Sequence, residues 1–456
     1  MFDKNFFSKF YKAFTFFIWI IHAIISADLG IESDIFAVGQ GSGVVIRDKH
    51  RGKAFIIDSG HSGSDEETIP LLKRVNNAIF GKAGSHTRLA GALFSHSDGD
   101  HIRLFTRVLN SNSRALKDQN SVPGQEVTVY LGSPFPSYCV GTAKPCLEAL
   151  IAVNAQIKPL SHIMTLPGII AVNTHIAALL TKMSGEKAYE EANRTIMTGF
   201  LPRSYFMNVL IPEFSDDTRE LTLVIMVANS LYAGGTRFAG RVTAGSDNVT
   251  PGVLDEATPI VGVSAEENTV FHDGTNNNGA VVKLTYKGRR IIFPGDIDGD
   301  HCTDRLLVSV RNLGVPVSFL KADVLIAAHH GADRDRTNNA SFLLMTDPSH
   351  IVVSAGALEG KYIHPRFNSL FTMAGILRLS TLRVAPHLIQ CGDPTGLTIM
   401  VCPKMTEHFC LATGTTVMER GKWLQMFTQL PLYTTHTSSD VRITITSRGD
   451  FVVKES

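Results

Sequence analysis

The chain has no CxxC pair. Its six cysteines, Cys139, Cys146, Cys302, Cys391, Cys402 and Cys410, are scattered over 456 residues, which argues against a thiolate zinc site. It has almost no net charge. A formal +1 argues against a strongly basic nucleic-acid binder, while leaving room for a local patch. No repeat of 20–50 residues is evident, which argues against solenoids and propellers. Beyond the N-terminus no apolar run reaches the roughly 20 residues of a membrane span, so the sequence carries no multi-span membrane domain. Nothing in it implies a protein partner. What is present is an ordinary globular balance, 44% hydrophobic and 19% charged, in a length that suits one large domain with insertions or two domains.

The first 27 residues stand apart. Lys4, Lys9 and Lys12 precede an apolar run over 14–25, which His22 interrupts, and small residues Ser26 and Ala27 close it. That order is the order of a secretory signal peptide, so export to the periplasm or beyond is expected, with 28–456 as the mature domain. An uncleaved anchor and a buried N-terminal helix are the other readings. Cleavage after Ala27 leaves a net charge of −1. Export would permit disulfides. Cys139 and Cys146 flank a short Gly- and Pro-containing loop and are the first pair to consider, two buried thiols fitting equally well.

Short β-rich runs at 42–48 and 53–58 read as a hairpin. Ile69, Leu72, Val75 and Ile79 share one face of a helix expected over 66–80. A strand at 91–95 runs into FSHSDGDH (94–101), and Leu104, Phe105, Val108 and Leu109 mark a helix face beyond it. Four good metal-binding side chains, His96, Asp98, Asp100 and His101, thus lie between a strand and a helix. Strands are expected at 127–132, 221–228, 279–286, 289–294, 322–328, 350–355, 397–402, 441–447 and 451–454, with helices at 169–183, 186–199 and near 366–378. The stretch of about 115–270 reads as a large insertion. The remaining order suggests a two-layered sheet sandwich with helices outside.

Several strand ends carry His or Asp: Asp58, the 96–101 cluster, Asp296 in FPGDIDGD, His329 and His330, and His364. Neutral imidazole with carboxylate suits zinc, manganese or iron(II). Two such ions a few Å apart make hydroxide at neutral pH and stabilise attacking and leaving oxygens. Each piece alone is weak. A GD after a strand is usually a turn, an HH pair is usually a cap or surface pair, and DGD here lacks an EF-hand continuation.

The ordered combination resembles a known family. HSDGDH is similar to the HxHxDH signature of the metallo-β-lactamase superfamily, with Asp98 for the second His, and this HxDxDH form resembles the metallo-β-lactamase-like domain of ComEC-type competence proteins. FAVGQGSGVVI (36–46) resembles the family's VGQGD turn, with Ser42 for Asp; FIIDSG (55–60) resembles LIDTG. NNNGAVVKL (276–284) resembles NNxSLVL, with Gly279 for Ser, and IIFPGDI (291–297) resembles LLTGD. ADVLIAAHHGA (322–332) resembles ADVLKVPHHGS, with Ala332 for Ser, and VVSAGALEGKYIHP (352–365) resembles ISVGxxNxYGHP, with Ile363 for Gly. The closing 431–451 resembles VYRTDxxGxIxI. The matches are collinear; 115–270 and 380–430 are unmatched.

The resemblance implies an α+β fold, a four-layered αββα sandwich with the site along one edge. It implies that His96 and Asp98 hold one metal ion, that Asp100 and His101 hold a second, that Asp296 bridges and that His329 completes the second site. His330 and His364 would line the pocket as general acid or phosphate contact, and Asp58 would orient a ligand from behind. One or two zinc ions are implied, with manganese or iron(II) as alternatives. The superfamily's further His would be His162, His175 or His272, none in a recognisable motif. The implied activity is that of an exported metal-dependent hydrolase acting on a phosphodiester, with nucleic acid as a substrate class. Arg103, Arg107, Arg114, Arg334 and Arg336 follow the motifs and could contact phosphate. Hydrolysis of a small ester, lactone or lactam is the second reading. A catalytically degenerate exported binding protein is the third, kept open by Ser42, Ala332 and Ile363.

Overall fold

A computed structural model describes residues 30–39, 41–61, 65–81, 87–132, 138, 141–160, 205–228, 279–297, 317–332, 337–356, 364–384, 397–405, 418–428, 430–435 and 440–455. The expected signal peptide, the helices expected at 169–183 and 186–199, and Cys139, His162, His175, His272, Arg334 and Arg336 lie outside the described residues.

The first half supplies β1 (Ile31–Ile35), β2 (Gly43–Asp48), β3 (Lys53–Ser59), α1 (Asp65–Phe80), β4 (Arg88–Phe94), α2 (Gly99–Ser111), α3 (Ser113–Asn120), β5 (Thr128–Leu131), α4 (Lys144–Ala152) and β6 (Gln156–Pro159). The second supplies β7 (Tyr205–Leu210), β8 (Leu221–Ala228), β9 (Val281–Tyr286), β10 (Arg289–Phe293), β11 (Val324–Ile326), α5 (Ala340–Thr346), β12 (His350–Val353) and α6 (Phe367–Val384). The last strands are β13 (Leu397–Met405), β14 (Met418–Thr428), β15 (Leu432–Thr434), β16 (Val441–Ile445) and β17 (Phe451–Glu455).

Eight strands form one sheet in the order β17-β16-β1-β2-β3-β4-β5-β6, and seven form another in the order β15-β12-β11-β10-β9-β8-β7. In each, a parallel block adjoins an antiparallel one: β3 to β6 run parallel, as do β10, β11, β12 and β15. Side-chain alternation divides the apolar residues into three layers. Phe55 and Ile57 of β3 meet Ile291 and Phe293 of β10 in a core between the two sheets. Ile56 points the other way, into a layer with Leu71 and Val75 of α1, Phe105 and Val108 of α2 and Leu147 of α4. Ile292 likewise faces Phe342 of α5 and Met373 of α6. Helices therefore cover both outer faces, and the architecture is the expected α+β, αββα sandwich. The central parallel strands read as continuous apolar runs because both faces are covered. Each buried Val, Leu, Ile or Phe contributes about 1.5–3 kcal/mol.

Two sequence expectations change. In α1 the buried face is Thr68, Leu71, Val75, Ala78 and Ile79, while Ile69 is 70% exposed. Leu71 and Leu72 are adjacent, so the i, i+3, i+4 pattern fits two faces about one residue apart, and packing selects the one through Leu71. Within 115–270, read as an insertion, β5 and β6 extend the first sheet and β7 and β8 the second. These strands are only 4–8 residues long and widely spaced along the chain, which hides their membership. In the unmatched 380–430, β13 and β14 pair as a separate two-stranded sheet.

Candidate metal centre

The candidate residues converge where parallel strands of both sheets end. Asp58 is in β3, His96 follows β4, Asp296 follows β10, and His329 and His330 follow β11. The carboxyl ends of parallel strands are the usual ligand side of such sheets.

Asp58 is buried and adopts φ 55°, a left-handed conformation that Asp tolerates better than most residues. Its Oδ1 accepts from Ser95 N–H at 2.7 Å; its Oδ2 lies 2.8 Å from Ser95 Oγ and 2.8 Å from His101 Nδ1. A carboxylate only accepts, so His101 Nδ1 carries a proton and Nε2 faces the site. There Nε2 lies 3.2 Å from Asp296 Oδ1 and 3.3 Å from His330 Nε2. His330 in turn donates Nδ1–H to Ser354 O at 2.8 Å, which also turns its Nε2 inward, 3.4 Å from Asp296 Oδ2 and 3.7 Å from Asp100 Oδ2. His96 Nε2 is buried without a hydrogen-bond partner, 3.6 Å from Asp98 Oδ2 and 4.0 Å from Asp296 Oδ2.

Local backbone explains these positions. Asp98 stands at the N-cap of α2 yet makes no cap bond, and its half-exposed carboxylate reaches toward His96. Asp100 lies in the first turn, where the helix dipole favours an anion. Gly295 adopts φ 61°, and a Cβ there would sit 2.7 Å from Ser95 Cβ, so the GD turn needs glycine for close approach. His329 and His330 both have positive φ, 47° and 53°. The buried Asn338 side chain holds that turn: it accepts from Ala328 N–H at 2.9 Å and donates to Ala328 O at 3.0 Å and Ala332 O at 3.1 Å.

Among the described residues, two groups have ligand atoms within 4.8 Å of one another: His96, His101 and Asp296; and Asp100, His101 and His330. His330, expected to line the pocket, thus stands in a ligand group. His329, expected as a ligand, belongs to neither; its Nε2 is 3.7 Å from Asp296 Oδ2. His330 Nε2 lies slightly closer to the same Asp296 oxygen, at 3.4 Å, so both imidazoles face the site. Asp98 is also outside both groups. His364 is buried with Nδ1 unpartnered, its ring 5.3 Å from that of His329.

The charges are coupled. Burial disfavours charge on His101, but the Asp296 and Asp58 carboxylates outweigh it and hold the imidazole well above its ordinary range. Burial pushes the Asp296 carboxyl up, yet His101, His330 and His329 bring it well below the usual carboxylate range. Burial likewise raises Asp98, and the neighbouring His96, then His101, reverse this to a net lowering. Burial, then His329, His330 and Arg366, push His364 well below its ordinary value, so it is a neutral hydrogen-bonding ring at neutral pH rather than a ready proton source. The demand for positive charge among these carboxylates, the orphaned His96 Nε2 and the inward-turned Nε2 atoms of His101 and His330 fit a divalent transition ion. Sequence reading missed Ser95, Asn338 and Ser354, whose importance lies in hydrogen bonds to distant residues. Cys146 is a buried free thiol, pushed up to about 12 by burial.

No family model matches the chain, and no curated protein does. Among solved structures it is similar to the metallo-β-lactamase fold protein YhfI from Bacillus subtilis, at 10% identity and a TM-score of 0.31 over 76% of this chain and 93% of that one. It is also similar to a metallo-β-lactamase with a HARLDQ motif from Cronobacter sakazakii, at 11% identity and a TM-score of 0.23 over 78% and 93%.

Proposed function

We propose that this chain is an exported metal-dependent hydrolase that cleaves phosphodiesters, its motifs resembling those of ComEC-type metallo-β-lactamase-like domains. The observation that supports this reading is the pair of His/Asp groups meeting at His101. His96, His101, Asp296, Asp100 and His330 would hold one or two ions, zinc first among the candidates. When bound, such ions acidify water and polarise the electrophile. The chain's own residues do the rest. Asp58 and Ser354 aim the imidazoles by holding their Nδ1 protons. His364, neutral and beside His329, offers a hydrogen bond to a substrate oxygen. Arg103 curls back over the start of α2, Nη2 being 3.4 Å from the Cβ position of Gly99, and supplies positive charge for a phosphate.

Elemental analysis of the purified chain tests the reading. One or two transition ions are expected, and Asp296→Ala should lose most of them along with activity. Phosphodiester, ester and lactam substrates should then be compared across salt concentration. Cleavage of single-stranded nucleic acid that weakens steeply with salt supports the phosphodiesterase; salt-insensitive turnover of a small neutral ester or lactam replaces it. A chain that binds no zinc, manganese or iron(II) defeats the hydrolase reading outright. Export by residues 1–27 is tested with a reporter fused after Ala27, which should leave the cytoplasm.

A further inference from the structure

Ser95 carries no role in the motif reading, yet its hydroxyl stands between three site residues. Oγ is 2.8 Å from Asp58 Oδ2, 3.0 Å from His96 Nδ1 and 3.3 Å from His101 Nδ1. A serine hydroxyl has one proton and two lone pairs. Asp58 already accepts from Ser95 N–H and from His101 Nδ1–H. As a carboxylate it has no proton to give, so the 2.8 Å contact requires Ser95 to donate. The serine proton is then spent, and only lone pairs remain for His96. The 3.0 Å contact to His96 Nδ1 therefore requires a proton on that nitrogen.

From this proton count we infer that Ser95 is a positioning residue that sets the tautomer of His96. The relay His96 Nδ1–H to Ser95 Oγ–H to Asp58 leaves the lone pair of His96 on Nε2. That nitrogen is the buried, unpartnered one that faces Asp98 and Asp296. One carboxylate, Asp58, thus orients both imidazoles of the His96/His101/Asp296 group, His101 directly and His96 through a hydroxyl. The inference rests on the metal reading only for its purpose; the hydrogen-bond order stands on the distances alone.

The experiment reads imidazole ¹⁵N shifts in the metal-stripped full chain at mildly alkaline pH, then titrates zinc. Wild type should show His96 protonated at Nδ1. Ser95→Thr, which keeps the hydroxyl, should look the same. Ser95→Ala should give a tautomer mixture at His96 and bind zinc about 10- to 100-fold more weakly. His96 protonated at Nε2 in wild type overturns the inference, and this measurement needs no variant to fold. A Ser95→Ala chain that keeps a pure Nδ1–H form also overturns it, because Asp58 or a neighbour would then be setting the tautomer. Wild type with the inferred tautomer but no zinc binding upholds the relay and sinks the metal reading instead.

Discussion

Gly60, directly after β3, shows how little space separates the parts of the site. A Cβ there would lie 1.5 Å from Asp100 O and 1.8 Å from Asp100 C, both backbone atoms that cannot swing aside. The first turn of α2, with Asp100 and His101, is therefore seated directly against the end of β3, with Asp58 two residues away. Gly60→Ala should cost about 3 kcal/mol or more, at the upper end of overpacking effects, because backbone must move. Urea unfolding checks this, and an unchanged midpoint would refute it. Residue identity was readable in this region: SG after FIID and the HSDGDH cluster were both visible. The reason for glycine was not, since Asp100 is forty positions away in sequence.

At the scale of an element, the turn after β11 depends on a side chain outside the motif. Asn338 itself has φ 58° and makes three buried hydrogen bonds to the backbone of Ala328 and Ala332. Asn338→Ala should destabilise the chain by about 2–3 kcal/mol, since it strands buried backbone groups. It should also weaken zinc binding about 10-fold by loosening His330. Asn339→Ala serves as the control. Asn339 caps α5, accepting from Phe342 N–H at 2.8 Å, so its loss should cost about 1 kcal/mol and leave zinc affinity alone. Thermal melts and zinc titrations of the two variants separate these outcomes, and equal metal affinity in both would contradict a clamping role. HHG was legible as a strand-end motif. Which carboxylates each histidine approaches was not, because consecutive positive φ values do not follow from composition.

For the whole molecule, pH should act through groups far from the site as well as within it. His350, at the start of β12, stacks on Tyr433 and meets Phe451 edge-on. Burial lowers it to about 4, Asp323 opposing only in part. Its folded value lies below the ordinary 6.5, so the unfolded chain binds the extra proton between those limits. The neutral ring's contribution is then complete above about 6.5 and is lost as pH falls toward 4, by at most about 3 kcal/mol. Lys283, buried under Phe319 and brought down to about 7, works in the same sense on the alkaline side, stability rising with pH from there toward 10.5. Unfolding free energies of wild type and His350→Leu, compared at neutral pH and near pH 4, test the acid limb; the variant should show the shallower loss. Equal slopes would put the acid sensitivity elsewhere.

The sequence by itself determined the strands that carry the site, the two-layered sheet sandwich that their order implied, and the residue types able to bind metal. Those features are local: an apolar run followed by His or Asp needs no distant partner to be recognised. Only the tertiary structure decided that 115–270 contributes strands to both sheets, that Thr68 and Leu71 rather than Ile69 face the core, and that His330 joins Asp100 and His101 in a candidate ligand group. It also decided that Ser95, Asn338 and Ser354 hold the imidazoles in register. Most of these facts depend on contacts between residues ten or more positions apart, or on the sign of φ at single residues, neither of which leaves a periodic trace in the chain.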